Sequence, residues 1–350
     1  MAQKSAAGFR SKVNAGPGQF FDAAHEVFLS AQSKEQDYSI GGLVARFQIA
    51  GPAVGERLTR AFAHLQLPAQ QHVDLTICAW DSVGTGTKMV PPPWTESDYG
   101  PRGEIRSYNN ERFRTAFDQG TSALSMIDLD RNLALFWTRD AQELPAYESG
   151  APFRAILNWW AERNDRVLVH CGAIGTECGA AILAGPGGSG KSTTALLCAQ
   201  AGWNYLADDY CLLKVAEPSR VFSLYNSVKL GHDQLSQFNT LAGKSTAMDG
   251  DKHLFFLNEI WPERIARSLS CRALLLPRVS QTRETSIQPA SPGEALRAIA
   301  PSTIFQLSGA GQTSFQRLSS FVERIPVRHL NLGRDFEKIP ERISASLSEI

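Results

Sequence analysis

What this sequence lacks is informative, because each shortage removes a class of protein. Neither sign of charge is in excess: 35 lysines and arginines stand against 35 aspartates and glutamates in 350 residues. Without a basic surplus, nucleic-acid binding is not expected as its main task. No apolar run approaches the roughly 20 residues of a membrane span. The N-terminus (MAQKSAAGFRSKVNAGPG) has no apolar stretch of the kind a signal peptide carries. The expectation is a cytoplasmic protein with no membrane and no nucleic-acid partner. The six cysteines, at 78, 171, 178, 198, 211 and 271, include no Cys-x-x-Cys pair. Several fall in apolar patterns, which reads as buried free thiols rather than disulfides or zinc ligands. No repeat with a period of roughly 20–50 residues is visible.

What is there divides into three stretches. Residues 1–18 are small and polar and are expected to be disordered. Residues 19–150 read as an α+β domain: a helical pattern at 54–65, then strands at 73–80, 104–109, 113–117, 123–128 and 133–138. The last two are joined by the turn Asp130-Arg131-Asn132. Residues 151–350 open with a helix at 151–163 and continue as an α/β domain. Strands are expected at 167–174, 180–184, 205–207, 210–215, 221–228, 255–260 and 273–277. Helices are expected after residue 190 and at 231–242, 292–299, 315–323 and 336–347.

Within the third stretch, Gly185-Pro186-Gly187-Gly188-Ser189-Gly190-Lys191-Ser192 fits the phosphate-loop pattern G-x-x-x-x-G-K-[S/T] at every fixed position. An apolar run, Ala180–Ala184, precedes it, and a helix-forming run from Thr193 follows. Glycines at 185, 187, 188 and 190 let backbone N–H groups wrap a polyphosphate, and the helix start adds its own amides and dipole. Ser189 and Thr193 belong to the same cradle. Lys191 would reach the β- and γ-phosphates, and the Ser192 hydroxyl would coordinate Mg²⁺. ATP and Mg²⁺ are the expected cofactors.

Two adjacent carboxylates, Asp208 and Asp209, end an apolar strand just downstream. Phosphoryl transfer needs a metal carboxylate and a group that orients the acceptor, and this pair can supply both. His170-Cys171-Gly172-Ala173, the glycine-bearing hairpin at 179–184, the loop and Ala-Gly-Trp-Asn-Tyr-Leu-Ala-Asp-Asp at 201–209 together resemble the HPr kinase/phosphorylase family. The close match spans about residues 166 to 215. The resemblance implies a nucleotide-binding fold like that of phosphoenolpyruvate carboxykinase, preceded by the α+β domain. It implies catalytic roles for Lys191, Asp208, Asp209 and His170, with His170 near the phosphates. One aspartate would accept the serine proton and the other would help hold Mg²⁺; Asp209 is expected with Ser192 as the metal ligand, and which aspartate is the base stays open.

The chain also departs from that family. Members that phosphorylate HPr carry a downstream Glu-x-Arg-Gly, whereas the corresponding segment here is Leu224-Tyr225-Asn226-Ser227-Val228-Lys229-Leu230. This argues against HPr as the substrate and toward divergent relatives that modify peptides. The expected acceptor is a serine of a peptide or small protein, such as a precursor peptide. Homo-oligomers are a further implication of the resemblance. A small-molecule hydroxyl kinase on the same fold and a nucleotide-binding regulatory module without turnover are the alternatives. Of the remaining features, Lys229 and Lys252 read as exposed lysines, Asp128-Leu129-Asp130 as turn chemistry and Ser308-Gly309-Ala310-Gly311 as a linker.

Overall fold

The computed structural model describes residues 16–306, 308, 309 and 311–349. It is a mixed α/β structure with parallel and antiparallel pairings in both large sheets. The first sheet begins with a hairpin that the sequence reading passed over. Gly41 and Gly42 both take positive φ, +59° and +81°, which suits a two-residue turn between Ser33–Ile40 and Leu43–Ala50. In space the sheet runs 66–67, 33–40, 43–50, 75–81, 133–138, 123–128, 113–118. Leu75–Asp81 lies parallel to both of its neighbours, and the other pairings are antiparallel.

The second sheet is built around Ser268–Val279. This long strand pairs antiparallel with Arg220–Ser223, then parallel with Gly179–Leu183 and with Val327–Leu332. Gly179–Leu183 is buried on both faces, so it reads as an unbroken apolar run. Ala180 and Ile182 pack toward the helices Pro292–Ile304 and Gln312–Arg324. Ala181 and Leu183 pack toward Lys191–Gln200 and Ile339–Ser348. A three-stranded sheet, 227–231, 252–256 and 247–249, lies beside them.

The two large sheets share one apolar core. Phe47 and Phe62 come from the first stretch, Phe153 from the turn before the helix Arg154–Arg163, and Tyr225 from beyond the second sheet. Ring centroids lie 5.4 Å apart for Phe47–Phe153 and 5.2 Å apart for Phe62–Tyr225. Polar contacts follow the same seam: the Tyr225 hydroxyl donates to Pro152 O at 2.7 Å, and Arg166 Nε donates to Gly41 O at 2.7 Å.

Several expected elements differ. Segment 104–109 is no strand: it makes two isolated bridges, Glu104 to Ala116 and Ile105 to Tyr99, and a 3₁₀ turn at Arg106–Tyr108. The Asn109 side chain competes for the ladder, donating to Ile105 O and Thr115 O while accepting from Thr115 N. The run 167–174 breaks at Cys171, and 221–228 breaks at Leu224–Asn226. Helix 231–242 shrinks to His232–Leu235 and a 3₁₀ turn at Asn239–Leu241, in a stretch of weak helix formers. Of the expected disordered segment, residues 1–15 lie outside the described residues, while Pro17 opens a helix to Leu29. Among the described residues no helix is long and apolar enough to cross a membrane.

Candidate functional site

The glycine loop leaves the strand Gly179–Leu183 and enters the helix Lys191–Gln200. Gly190 sits at φ +101°, where a side chain would also run into Leu332, so only glycine fits. Gly187 and Gly188 border open space, with nothing within 4 Å of a Cβ placed on either. Lys191 is largely buried and folds over the loop, its Nζ donating to Gly185 O at 2.7 Å and Pro186 O at 3.1 Å. Burial lowers its pKa from the usual lysine range. The amides of Lys191, Ser192 and Thr193 open the helix, where no carbonyl four residues back can pair with them. Ser189 Oγ and Thr194 Oγ1 are buried without partners.

Asp208 and Asp209 stand between the strands Asn204–Ala207 and Tyr210–Lys214, and successive residues there point in opposite directions. Asp208 goes inward and is 2% exposed. Its Oδ2 accepts from Lys229 N at 3.3 Å, and Oδ1 has no partner; the nearby Ser192 side chain works against the rise in its pKa. Burial first, and then the charge of Asp209, push Asp208 up to about 7. Asp209 faces a cavity. Burial would raise it too, but Lys229 Nζ at 3.0 Å and His170 Nε2 at 3.9 Å hold it below the usual carboxylate range. The environment thus separates two adjacent carboxyls into one that is readily protonated and one that stays charged. Burial lowers the His170 pKa from the usual histidine value, and its Nδ1 is buried and unpartnered.

That cavity, about 580 Å³, brings the sequence candidates together: Gly187, Lys191, Ser192 and Asp209 line it with Lys229 and Lys252, and His170 is at its edge. A second cavity of about 560 Å³ opens on the other side of the same loop, against Pro277, Arg278, Arg297 and His329. Among the described residues, no three His, Cys, Asp or Glu side chains gather as a metal site. Magnesium does not need them, because it takes one or two carboxylates and completes its octahedron with phosphate and water oxygens. The orphaned Asp208 Oδ1 beside the Ser192 hydroxyl fits that donor set.

Lys229 is not the exposed loop lysine expected from the sequence. It lies on the strand Ser227–Gly231 with its side chain 18% exposed, bridging Asp209 and Asp249. The buried neighbours Val228 and Leu230 carried the signal, since a strand alternation sends the residue between them to the opposite face. Asp249 was missed altogether. Asn226, in the segment that corresponds to the family's Glu-x-Arg-Gly, is fully buried and turned away from the cavity. Its Nδ2 donates to Arg60 O at 3.0 Å and Ala61 O at 2.9 Å. Asp128 is held by Arg112 and Arg131 and accepts from the amides of Asp130 and Arg131, which is turn chemistry.

No protein-family model matches this chain, and no curated protein does. Among solved structures it is similar to the Hpr(Ser) kinase/phosphatase from Coxiella burnetii, at 8% identity and a TM-score of 0.29, over 52% of this chain and 97% of that one. That likeness is distant and structural only. At such a score it decides nothing about the chemistry of the site, which is read from its own residues.

Proposed function

We propose that this chain is an ATP- and Mg²⁺-dependent kinase that transfers the γ-phosphate to a serine hydroxyl of a peptide or small protein. One observation carries the reading: Lys191, Ser192, Asp209 and Lys229 converge on one cavity, and Asp208, the residue before Asp209, keeps a buried oxygen without a partner. In this reading Gly185–Thr193 cradle the phosphates, and Lys191 offsets charge on the transferring group. The cavity beyond Pro277 has room for the nucleoside. Asp208 and Ser192 would hold Mg²⁺, whose chemistry is to screen the phosphate oxygens. This shifts the metal carboxylate from Asp209, the sequence expectation, to Asp208, because Asp208 Oδ1 has no partner while Asp209 is already paired with Lys229.

The serine oxygen attacks the γ-phosphorus, the bond from that phosphorus to the β–γ bridging oxygen breaks, and ADP leaves with the bond's electron pair. The serine proton passes to Asp209, which Lys229 keeps ionised and oriented. The deciding experiment is transfer from labelled ATP with Lys191→Ala as control. Transfer that disappears while circular dichroism stays native supports the kinase; an unchanged rate in the variant sinks it.

A further inference from the structure

The cavity that holds Lys191, Ser192, Asp209 and Lys229 has a second wall, and one cation on it is without a role. The three-stranded sheet and its turn supply that wall, through Lys229, Gly231, Asp251 and Lys252. Register decides which of these side chains share a face. Lys229 pairs with Leu254, Gly231 with Lys252, and Lys252 with Asp249 across the turn Gly250-Asp251. Directly paired residues lie on one face, and so do residues two apart on a strand. Lys229, Asp249 and Lys252 are therefore on the same face, the one that meets Asp209. Opposite Lys252, Gly231 leaves the space beside the lysine stem open, with only Gln234 Oε1 within 4 Å of a Cβ placed there.

Lys252 stands diagonally from Lys229, at a backbone separation of about 7–8 Å. The cavity's lysines differ in what they hold. Lys229 is taken up by Asp209 and Asp249, and Lys191 is folded back onto Gly185 O and Pro186 O. Lys252 makes no ion pair among the described residues; Asp233 and Asp251 share its rim, but both are exposed and neither binds it. Its charge nevertheless registers on both sides of the cavity. It adds to the lowering of Lys191 that burial begins. Against the rise that burial would cause, it also adds, behind Lys229 and His170, to the lowering of Asp209. An ammonium with no carboxylate of its own, repelling Lys191 beside a phosphate cradle, marks where an anion would sit. An anion between the two converts their repulsion into attraction.

We propose that Lys252 is a second catalytic cation of the transfer site, contacting the γ-phosphoryl oxygens from the sheet wall while Lys191 contacts them from the loop. This rests on the kinase reading above and deepens it. In the transition state, charge is spread over three equatorial oxygens, which a single lysine on the loop cannot reach from every side. No bond to Lys252 forms or breaks; it acts by charge and hydrogen bonding alone. Its place at the end of a two-residue turn, on a flexible four-carbon stem, lets it reach a bound triphosphate. A diphosphate lacks the group it would hold.

The test is titration calorimetry of Mg-ATP and Mg-ADP with the parent protein, Lys252→Ala, Lys252→Arg and Lys244→Ala. Lys244 is an exposed lysine of the same segment that does not line the cavity, so it controls for the loss of one charge. In Lys252→Ala the ratio of Mg-ATP to Mg-ADP affinity should fall by about tenfold or more, as the loss of a charge-assisted hydrogen bond predicts, with Mg-ADP affinity within about twofold of the parent. Lys252→Arg should restore part of the ratio, and Lys244→Ala should leave it whole. A folded Lys252→Ala that discriminates ATP from ADP as the parent does overturns the assignment, and so does an equal weakening of both nucleotides. A parent that binds no Mg-ATP overturns the kinase reading itself, and the role of Lys252 with it.

Discussion

Lys229 holds two carboxylates at once, its Nζ lying 3.0 Å from Asp209 Oδ2 and 3.2 Å from Asp249 Oδ2. Without that ammonium, Asp209 would lose the largest of the charges that offset its burial. Lys229→Met keeps the stem's packing and removes the charge. Asp209 should then lose its depressed pKa and its fixed orientation together. The expected result is a fall in transfer of about a hundredfold or more, in line with losing a positioned acid–base group. ATP binding should change little, and Lys229→Arg should recover part of the rate. A Lys229→Met protein with full turnover would show that the bridge is only structural.

The two aspartates should separate in kinetics as they do in space. Asp209→Asn removes the acceptor-facing carboxylate, so turnover should collapse while Mg-ATP binds as before. Asp208→Asn removes the oxygen beside Ser192, so Mg-ATP affinity should fall together with turnover. Titration calorimetry with Mg-ATP beside single-turnover assays checks both. The opposite pattern would restore Asp209 as the metal carboxylate.

How much of this could be read from the chain depends on how local each feature is. The glycine loop, its strand and its helix are contiguous, so spacing and propensity sufficed for them. Lys229 and Asp249 reach the site only because the strands 227–231 and 252–256 pair and carry the hairpin strand 247–249 with them. A contact between residues 20 apart on short strands leaves no spacing signature. Segment 224–230 showed only the absence of the family's glutamate, because the partners of Asn226, the carbonyls of Arg60 and Ala61, lie some 165 residues earlier. The hairpin at Gly41-Gly42 was passed over although its signal is local, two glycines between extended runs.

His64 makes the seam between the two sheets sensitive to acid. Its Nε2 meets Ser223 Oγ at 2.8 Å, and burial, helped by the charge of Arg267, lowers its pKa to about 3. The folded state therefore keeps His64 neutral at a pH where the unfolded chain, with its histidine near 6.5, binds a proton. The stabilisation is fully present above pH 6.5 and is lost progressively as pH falls toward 3. Thermal midpoints should drop between pH 7 and 4. His64→Gln, which does not titrate, should flatten that drop, and equal slopes in the two proteins would remove His64 as the cause.

Asn226 distinguishes a degenerate site from a repurposed one. If its only difference from the resembled family were a missing carboxylate, Asn226→Glu would raise activity. The structure argues the reverse, because residue 226 is fully buried and its side-chain amide satisfies two carbonyls of the first stretch. Asn226→Ala removes the side-chain donor from both carbonyls, although Ala61 O keeps the backbone N–H of residue 226, and should cost about 1–3 kcal/mol. Asn226→Glu cannot donate in its ionised form, adds volume, and places a charge against carbonyl oxygens, so it should cost more than the alanine. Denaturant unfolding of the three proteins gives the order: parent, alanine, glutamate. Transfer should rise in neither variant. A stable and more active Asn226→Glu would mean that this strand can turn its side chain into the cavity after all.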